Sequence, residues 1–134
     1  MLFRSFVDSS ALIAIIRREP EKSALAARLE GAVAPVTSPL VVLETVMRLT
    51  TMLGNDVETA RAVTSEFLDE AGIRVVPITE AMGEAAIDAF ARFGKGMGHQ
   101  ARLNIADCLT YAAARELGQS ILYKGNDFAA TDLA

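Results

Sequence analysis

Short apolar runs alternate with longer segments of helical spacing along this chain of 134 residues. The short runs have the length and continuous hydrophobicity of buried parallel strands, whereas the longer segments repeat their apolar residues as helices do. Strands that alternate with helices predict a parallel sheet covered by helices on both faces, so the expected fold class is α/β. The four predicted strands end near Val7, Thr37, Ile78 and Tyr123.

Capping residues and glycines indicate where the helices begin and end. Ser38-Pro39 has the order of a cap followed by a first-turn proline, and predicts a helix that continues to about Leu53. Thr79 is expected to cap another helix, which ends near Phe93. The other predicted helices follow the first strand, pass through Leu25 and Leu29 to Gly31, extend from Asn55 and Asp56 to Gly72, and extend from Asn104 to Leu117.

The first predicted strand, residues 2–7, is followed at once by a single carboxylate, Asp8. Open parallel sheets bind their ligands at the carboxyl ends of the strands. Asp8 could instead cap the helix that follows, as Asp, Ser and Thr commonly do. Ser9 or Ser10 could provide that cap equally well, so we favour a role for Asp8 in binding metal or substrate.

Two more carboxylates interrupt apolar helical segments. The alternative role of Glu44 is an i,i+4 ion pair with Arg48, worth only about 0.2–0.5 kcal/mol, which compensates poorly for a charge in apolar surroundings. Asp107 is the lone charge within a dozen residues, and Asn104 precedes it by three positions on the same helical face. The alternative role of Asp107 is a favourable interaction with the helix dipole in the first turn.

Two further acids follow the fourth predicted strand. Asp127 lies in a Gly-Asn-Asp turn, where an acid is ordinary, but this strand is expected beside the first, whose end carries Asp8. Asp132 is a weaker candidate that could be a local cap. Acids brought together without a cation repel by roughly 1–4 kcal/mol per close pair. An all-oxygen cluster suits Mg²⁺ or Mn²⁺ rather than zinc, and favours the hydrolysis of a phosphodiester.

A glycine-punctuated loop, residues 92–102, carries several cations. Arg92, Lys95 and Arg102 are each ordinary surface charges, but together they could hold a phosphate backbone. His99 is expected to be a polar residue of the loop, with contact to substrate as the alternative. The Gly-Lys-Gly sequence within this loop lacks the spacing of a P-loop.

The composition fits one globular domain, residues 1–134, with 51% apolar and 22% charged residues. A net charge of −4 argues against nucleic-acid binding through a broad basic surface, but it leaves room for an enzyme with a metal site. The single cysteine, Cys108, excludes an internal disulfide and fits a reducing cytoplasm. The sequence predicts no signal peptide and no membrane span.

Taken together, these segments resemble the PIN-domain ribonucleases, and most closely the VapC-type toxins of bacterial toxin–antitoxin pairs. The resemblance covers essentially the whole chain, and the order and spacing of its motifs are specific. It rests on Val7-Asp8-Ser9-Ser10-Ala11-Leu12, on Glu44, on Leu103-Asn104-Ile105-Ala106-Asp107-Cys108, and on Lys124-Gly125-Asn126-Asp127-Phe128 with Thr131-Asp132.

The resemblance implies a three-layer α/β/α PIN-like domain whose central, mostly parallel sheet has four to five strands. It implies a dimer that cleaves RNA endonucleolytically with Mg²⁺ or Mn²⁺, and a cognate VapB-type antitoxin whose tail blocks the acidic pocket, often with an arginine. Assemblies of toxin with antitoxin larger than the dimer are also implied. The catalytic and metal-binding acids would be Asp8, Glu44, Asp107 and Asp127, positioned by Ser10 and Asn104, with Asp132 supporting the site or the turn.

Some features depart from the family or leave other functions open. Gln100 and Ala106 stand where relatives commonly carry Pro and Gly, and Ala134 follows soon after Thr-Asp, where relatives usually continue into a final edge strand. A catalytically silent PIN-like module that binds a protein partner is the main alternative, and the intact set of acids argues against it. A phosphotransfer receiver domain would need an acid pair that residues 2–7 do not offer.

Overall fold

The computed structural model describes residues 4–54 and 56–133, and the predictions made for Leu2, Phe3, Asn55 and Ala134 lie outside that range. Strands and helices alternate as the sequence predicts. The elements are β1 (Ser5–Val7), α1 (Ser9–Ile16), α2 (Lys22–Glu30), β2 (Val36–Thr37), α3 (Pro39–Met52), α4 (Val57–Ala71), β3 (Arg74–Val75), α5 (Glu80–Phe93), α6 (Ile105–Glu116) and β4 (Ser120–Leu122).

The sheet of the described residues has four parallel strands in the order β3-β2-β1-β4. Phe6 of β1 pairs with Val36 on one side and with Ile121 on the other. The chain builds the sheet outward from β1 through β2 and β3, and then returns to place β4 on the opposite side of β1. This reversal makes the gap between β1 and β4 a switch point, where α/β sheets bind ligands beyond the strand ends.

Helices cover the sheet, and the predicted α/β architecture is confirmed. Every residue of β1 is buried, which requires cover on both faces of the sheet because successive side chains point to opposite sides. α1 packs against α2 and α3, α3 against α4, and α5 against α6. None of the helices in the described part of the chain combines the length and the hydrophobicity that crossing a membrane requires.

The helix boundaries follow the predicted caps. The side chains of Ser38 and Thr79 accept hydrogen bonds from backbone N–H groups in the first turns of α3 and α5. Gly72 ends α4 with a φ of 67°, a left-handed conformation that favours glycine. Gly31 also ends its helix, α2, but with a right-handed φ of −79°.

The strands are shorter than predicted. The third predicted strand, residues 73–78, is reduced to Arg74–Val75, an exposed edge strand that Pro77 cannot extend into the ladder. After β4, the described residues up to 133 form turns and contribute no fifth strand. One of these turns is closed by Thr131, whose hydroxyl donates to the Phe128 carbonyl oxygen at 2.7 Å.

Candidate active site

Asp8 lies at the carboxyl end of β1 and caps α1. Its Oδ2 accepts hydrogen bonds from the Ser10 backbone N–H at 3.1 Å and from the Ser10 hydroxyl at 2.7 Å. Its Oδ1 faces the hydroxyl of Thr110 on α6 at 3.4 Å. Burial raises the pKa of Asp8, the Ser10 hydrogen bonds oppose that shift, and the nearby charge of Glu44 adds to it. Asp8 therefore serves as a helix cap and is also part of a buried acidic group.

Asp107 occupies the first turn of α6, where it forms a capping box with Asn104. The Asn104 side-chain oxygen accepts from the Asp107 N–H at 2.9 Å, and Oδ2 of Asp107 accepts from the Asn104 N–H at 3.1 Å. Burial raises the pKa of Asp107 to about 7, with further contributions from the charges of Asp127, Asp8 and Glu44. The other three predicted acids therefore all act electrostatically on Asp107.

Glu44 has one oxygen turned toward the site and the other toward the surface. Oε1 accepts a hydrogen bond from the Ser9 hydroxyl, next to Asp8 in the chain. Oε2 lies 3.5 Å from Nη2 of Arg48, one helical turn away. The ion pair that the sequence suggests for Glu44 is therefore present, and the same side chain also reaches from α3 to the start of α1, beside Asp8.

Asp127 is exposed and lies in the turn that follows β4. The turn is attached to the acidic site by its backbone, since the Lys124 N–H donates to the Ser10 hydroxyl oxygen at 2.9 Å. Gly125 lies within the turn with a φ of 94°, which an L side chain rarely adopts. On the far side of the turn, Phe128 is completely buried.

The donor set at this site consists of carboxylate and hydroxyl oxygens, which are the ligands that Mg²⁺ and Mn²⁺ prefer. Among residues 4–54 and 56–133, no three His, Cys, Asp or Glu side chains converge closely enough to hold a metal ion by themselves. Mg²⁺ commonly needs only one or two carboxylates, because waters and substrate phosphates complete its shell. Burial first, and then the charges of three neighbouring acids, raise the pKa of Asp107, so its ionised form is unfavourable here unless a cation compensates it, and the residues fit such an ion.

Asp132 makes its contacts away from these four acids. It accepts a hydrogen bond from the Tyr111 hydroxyl, and its Oδ2 lies 3.0 Å from Nη1 of Arg115 and 3.9 Å from Nη2 of Arg92. These contacts attach the C-terminal turn to α5 and α6. They favour the support of the turn, one of the two roles that the sequence suggests for Asp132.

The cationic loop contains residues in two different situations. Arg92 lies over the Phe93 ring at 4.5 Å, and His99 accepts the Ala101 N–H on Nδ1 at 2.9 Å, so both have local contacts. Lys95 and Arg102 are exposed and form no ion pair in the described part of the chain. Lys95 and Arg102 are therefore the loop cations available for a phosphate backbone.

Sequence reasoning missed three contributors to the site: the hydroxyls of Ser9 and Thr110 and the backbone N–H of Lys124. Ser9 reaches Glu44 only because α3 crosses the start of α1, which local spacing does not reveal. Thr110 stands three positions after Asp107, on the same face of α6, and this spacing was an available signal.

An apolar groove of about 520 Å³ lies between α5 and α6, beside the acidic site. Its rim exposes large apolar side chains, with Ile87 62%, Phe90 47% and Ile105 82% exposed. Asn104 and Lys95 contribute its polar part.

Comparison with known proteins identifies the family. The PIN-domain family model matches residues 5–133. A VapC ribonuclease of Rhizobium meliloti (strain 1021) is 40% identical over 140 residues, covering 96% of this chain and 99% of that protein. Ribonuclease VapC36 of Mycobacterium tuberculosis is 41% identical over 128 residues, covering 95% of this chain and 89% of the relative.

Solved structures share the fold. The crystal structure of Mycobacterium tuberculosis VapC20, a Sarcin-Ricin loop cleaving toxin, has a TM-score of 0.75 and 22% identity over 97% of this chain and 96% of that chain. A toxin–antitoxin complex from Klebsiella pneumoniae has a TM-score of 0.65 and 16% identity over 96% and 92% of the two chains. The resemblance inferred from the sequence is confirmed: the chain belongs to the PIN-domain family and, within it, to the VapC ribonucleases.

Proposed function

We propose that this chain is an endoribonuclease toxin that hydrolyses RNA phosphodiester bonds with Mg²⁺ or Mn²⁺ and is neutralised by a cognate antitoxin. The observation that carries the proposal is Asp107, a buried carboxylate whose pKa rises to about 7 from burial and from three neighbouring acids. Carboxylates that repel one another at the edge of the sheet where the strands end lower the stability of the folded protein. A divalent cation held there during the reaction accounts for their arrangement.

Asp8 and Asp107 would hold the ion directly, and Glu44 and Asp127 would complete its shell directly or through water. Ser10 and the Asn104 N–H each bind Oδ2 of their carboxylate. Oδ1 of Asp107 accepts no hydrogen bond in the described part of the chain, and Oδ1 of Asp8 faces only the Thr110 hydroxyl at 3.4 Å, so both oxygens can face a cation. The bound metal would supply an activated water and neutralise charge on the phosphate oxygens. The protein would keep these oxygens oriented toward the phosphodiester that binds at the switch point between β1 and β4.

The same acidic pocket supports the proposal of an antitoxin partner. A tail that enters this pocket would bind best through a cationic side chain, and an arginine would pair with two carboxylate oxygens at once. Such a tail would compete for the oxygens that hold the metal. The Klebsiella pneumoniae structure, a toxin–antitoxin complex, shares this fold.

The proposed homodimer has a candidate surface in the groove between α5 and α6. Exposed apolar patches of this kind mark protein interfaces, and a two-fold dimer uses the same patch of both copies. Ile87 and Phe90 project from this surface. Replacing both with Lys should leave the chain folded and monomeric, as measured by sedimentation against the unsubstituted protein. A dimer of unchanged affinity would place the interface elsewhere.

Cleavage by the purified, antitoxin-free chain tests the proposed function. Total RNA would be incubated with Mg²⁺, with Mn²⁺ and with EDTA, and the new ends would be mapped. Asp8→Asn keeps an acceptor for the Ser10 hydrogen bonds but removes the charge, and should lower the rate at least as much as the about 10–100-fold seen for residues that only orient ligands. Absence of cleavage with either metal would indicate a catalytically silent binding module instead.

A further inference from the structure

An ion pair joins the turn that carries Asp127 to the loop between α1 and α2. Nζ of Lys124 lies 2.6 Å from Oε1 of Glu19 and 3.5 Å from Oε2 of Glu21. Lys124 follows β4 by two positions and Glu19 lies beyond the end of α1, so the pair links segments that are distant in sequence. We call the Glu19–Lys124 pair the clasp.

The Glu19 side of the clasp is held firmly by its own loop. The Glu19 N–H donates to the Ala14 carbonyl oxygen at 2.9 Å, and the Glu19 carbonyl accepts from the Lys22 N–H at 2.9 Å. The second carboxylate oxygen, Oε2, lies 3.3 Å from Nη1 of Arg17. Since the backbone and both side-chain oxygens are engaged, Glu19 is an anchor for the Lys124 side chain.

The Lys124 side of the clasp leads directly to the acidic site. Its backbone N–H donates to the Ser10 hydroxyl oxygen at 2.9 Å, and that hydroxyl donates to Oδ2 of Asp8 at 2.7 Å. One residue therefore binds the α1–α2 loop through its side chain and the Asp8 cap through its backbone. Displacing the Lys124 side chain would remove one of the two contacts that hold this residue.

The carboxylate of Asp127 depends on this anchoring. Within the described ranges, its side chain makes no hydrogen bond and no ion pair, so its position follows from the turn alone. The turn includes Gly125, whose φ of 94° lies in a region open to glycine. Its two ends are anchored by Lys124 and by Phe128, which is fully buried and packs edge-to-face on Tyr123 at 5.2 Å.

We propose that the clasp positions Asp127 toward Asp107, which makes Glu19 and Lys124 positioning residues for the acidic site. The inference rests on the proposed metal-dependent function. It also explains why the lysine is paired with two carboxylates outside the site. An ammonium released three residues before Asp127 would compete with a divalent cation for the site acids.

The experiment compares Glu19→Gln and Lys124→Met, with Lys124→Arg as the conservative variant and Glu21→Gln as the control. Glu21→Gln removes the same charge from the same region, but from the more distant carboxylate. Both side chains of the clasp are partly exposed, and ion pairs at a protein surface contribute little to global stability, so all four variants are expected to fold and to melt near the temperature of the unsubstituted chain. Two readouts are then made without RNA: Mn²⁺ affinity by titration, and hydrogen exchange of the Lys124 amide in the metal-free protein.

A positioning role and a simple charge effect predict different changes in Mn²⁺ affinity for these variants. If only net charge mattered, Glu19→Gln would weaken Mn²⁺ binding and Lys124→Met would strengthen it. The clasp instead predicts that both weaken Mn²⁺ binding, by about three- to fivefold for loss of one partly exposed pair. Both should also speed exchange of the Lys124 amide. Lys124→Arg should restore affinity and protection, and Glu21→Gln should match the unsubstituted chain.

Three results would contradict the proposed role of the clasp. Opposite effects of Glu19→Gln and Lys124→Met on Mn²⁺ affinity would overturn the clasp and leave only electrostatics. Unchanged affinity and unchanged amide exchange in both variants, with Mn²⁺ binding intact in the parent chain, would overturn it while sparing the proposed function. Failure of the unsubstituted chain to bind Mn²⁺ would overturn the proposed function and the clasp together.

Discussion

Asn104 and Asp107 cap the start of α6 reciprocally, each accepting the backbone N–H of the other, at 2.9 Å and 3.1 Å. The bond that Asp107 accepts uses Oδ2 and leaves Oδ1 free. One carboxylate thus begins a helix with one oxygen and offers the other to the acidic site. The structural role of Asp107 and its role in the site can therefore be separated by substitution.

Asp107→Asn should abolish cleavage while preserving the helix start, because its amide oxygen can still accept the Asn104 N–H. Asp107→Ala should lose both functions and be less stable than Asp107→Asn by about 0.5–2 kcal/mol, the usual cost of a lost cap. Urea unfolding and RNA cleavage measure the two effects. Cleavage by Asp107→Asn at the parental rate would remove Asp107 from the proposed metal site.

The sequence predicts the position of Asp8 at a strand end because topology decides it. Asp8 ends a central strand, and parallel strands bring their carboxyl ends to one edge, so its place follows from the hydrophobic pattern. The caps at Ser38 and Thr79 are equally local, since each depends on bonds within four residues. These features need no knowledge of how the elements pack.

Contacts between distant elements escaped prediction for the opposite reason. The Ser9–Glu44 hydrogen bond depends on how α3 crosses α1, and the Glu19–Lys124 pair on where a loop meets a turn. Strand lengths also escaped, because β3 is limited by its position at the sheet edge rather than by its apolar residues. Hydrophobic periodicity carries no information about contacts between elements that are distant in sequence.

The metal-free protein should lose stability as pH rises. Burial raises the pKa of Asp107 from an ordinary 3.8 to about 7. Between these values the folded chain binds more protons than the unfolded chain, so the free energy of unfolding falls, by at most about 1.4 kcal/mol per pH unit for one proton. The raised pKa of Asp8 acts in the same direction. Urea unfolding in EDTA from pH 4.5 to 8 measures the slope.

Two controls accompany that measurement. Asp107→Asn should flatten the decline, because its amide does not titrate. Mg²⁺ should stabilise the parent chain increasingly as pH rises, since a metal binds the deprotonated carboxylate. The pKa of Asp132 is lowered, first by its hydrogen bond from Tyr111, so this group stabilises the folded chain at neutral pH and loses that contribution only in more acidic solution. A decline of equal slope in Asp107→Asn would assign the titration to other groups.

Glu44 should matter for cleavage through its site-facing oxygen and not through its ion pair. Glu44→Gln keeps an acceptor for the Ser9 hydroxyl but removes a charge, and should slow cleavage and weaken Mn²⁺ binding. Arg48→Met breaks the 3.5 Å pair and should change stability by less than about 0.5 kcal/mol, the range for such pairs on a helix. Equal losses of activity in both variants would indicate that Glu44 contributes to cleavage through its ion pair with Arg48.

Lys95 and Arg102 should contact the phosphate backbone of RNA, whereas Arg92 is already engaged with Asp132. In an Asp8→Asn background that prevents cleavage, Lys95→Met and Arg102→Met should each weaken RNA binding. Each should also lower the slope of log affinity against log salt by about 0.7, the value per phosphate of a single strand. Arg61→Met, the control, removes an exposed charge from α4 and should leave the slope unchanged. Arg92→Met should change it less than either loop variant. Equal slopes in all variants would show that RNA reaches the acids by a path that avoids this loop.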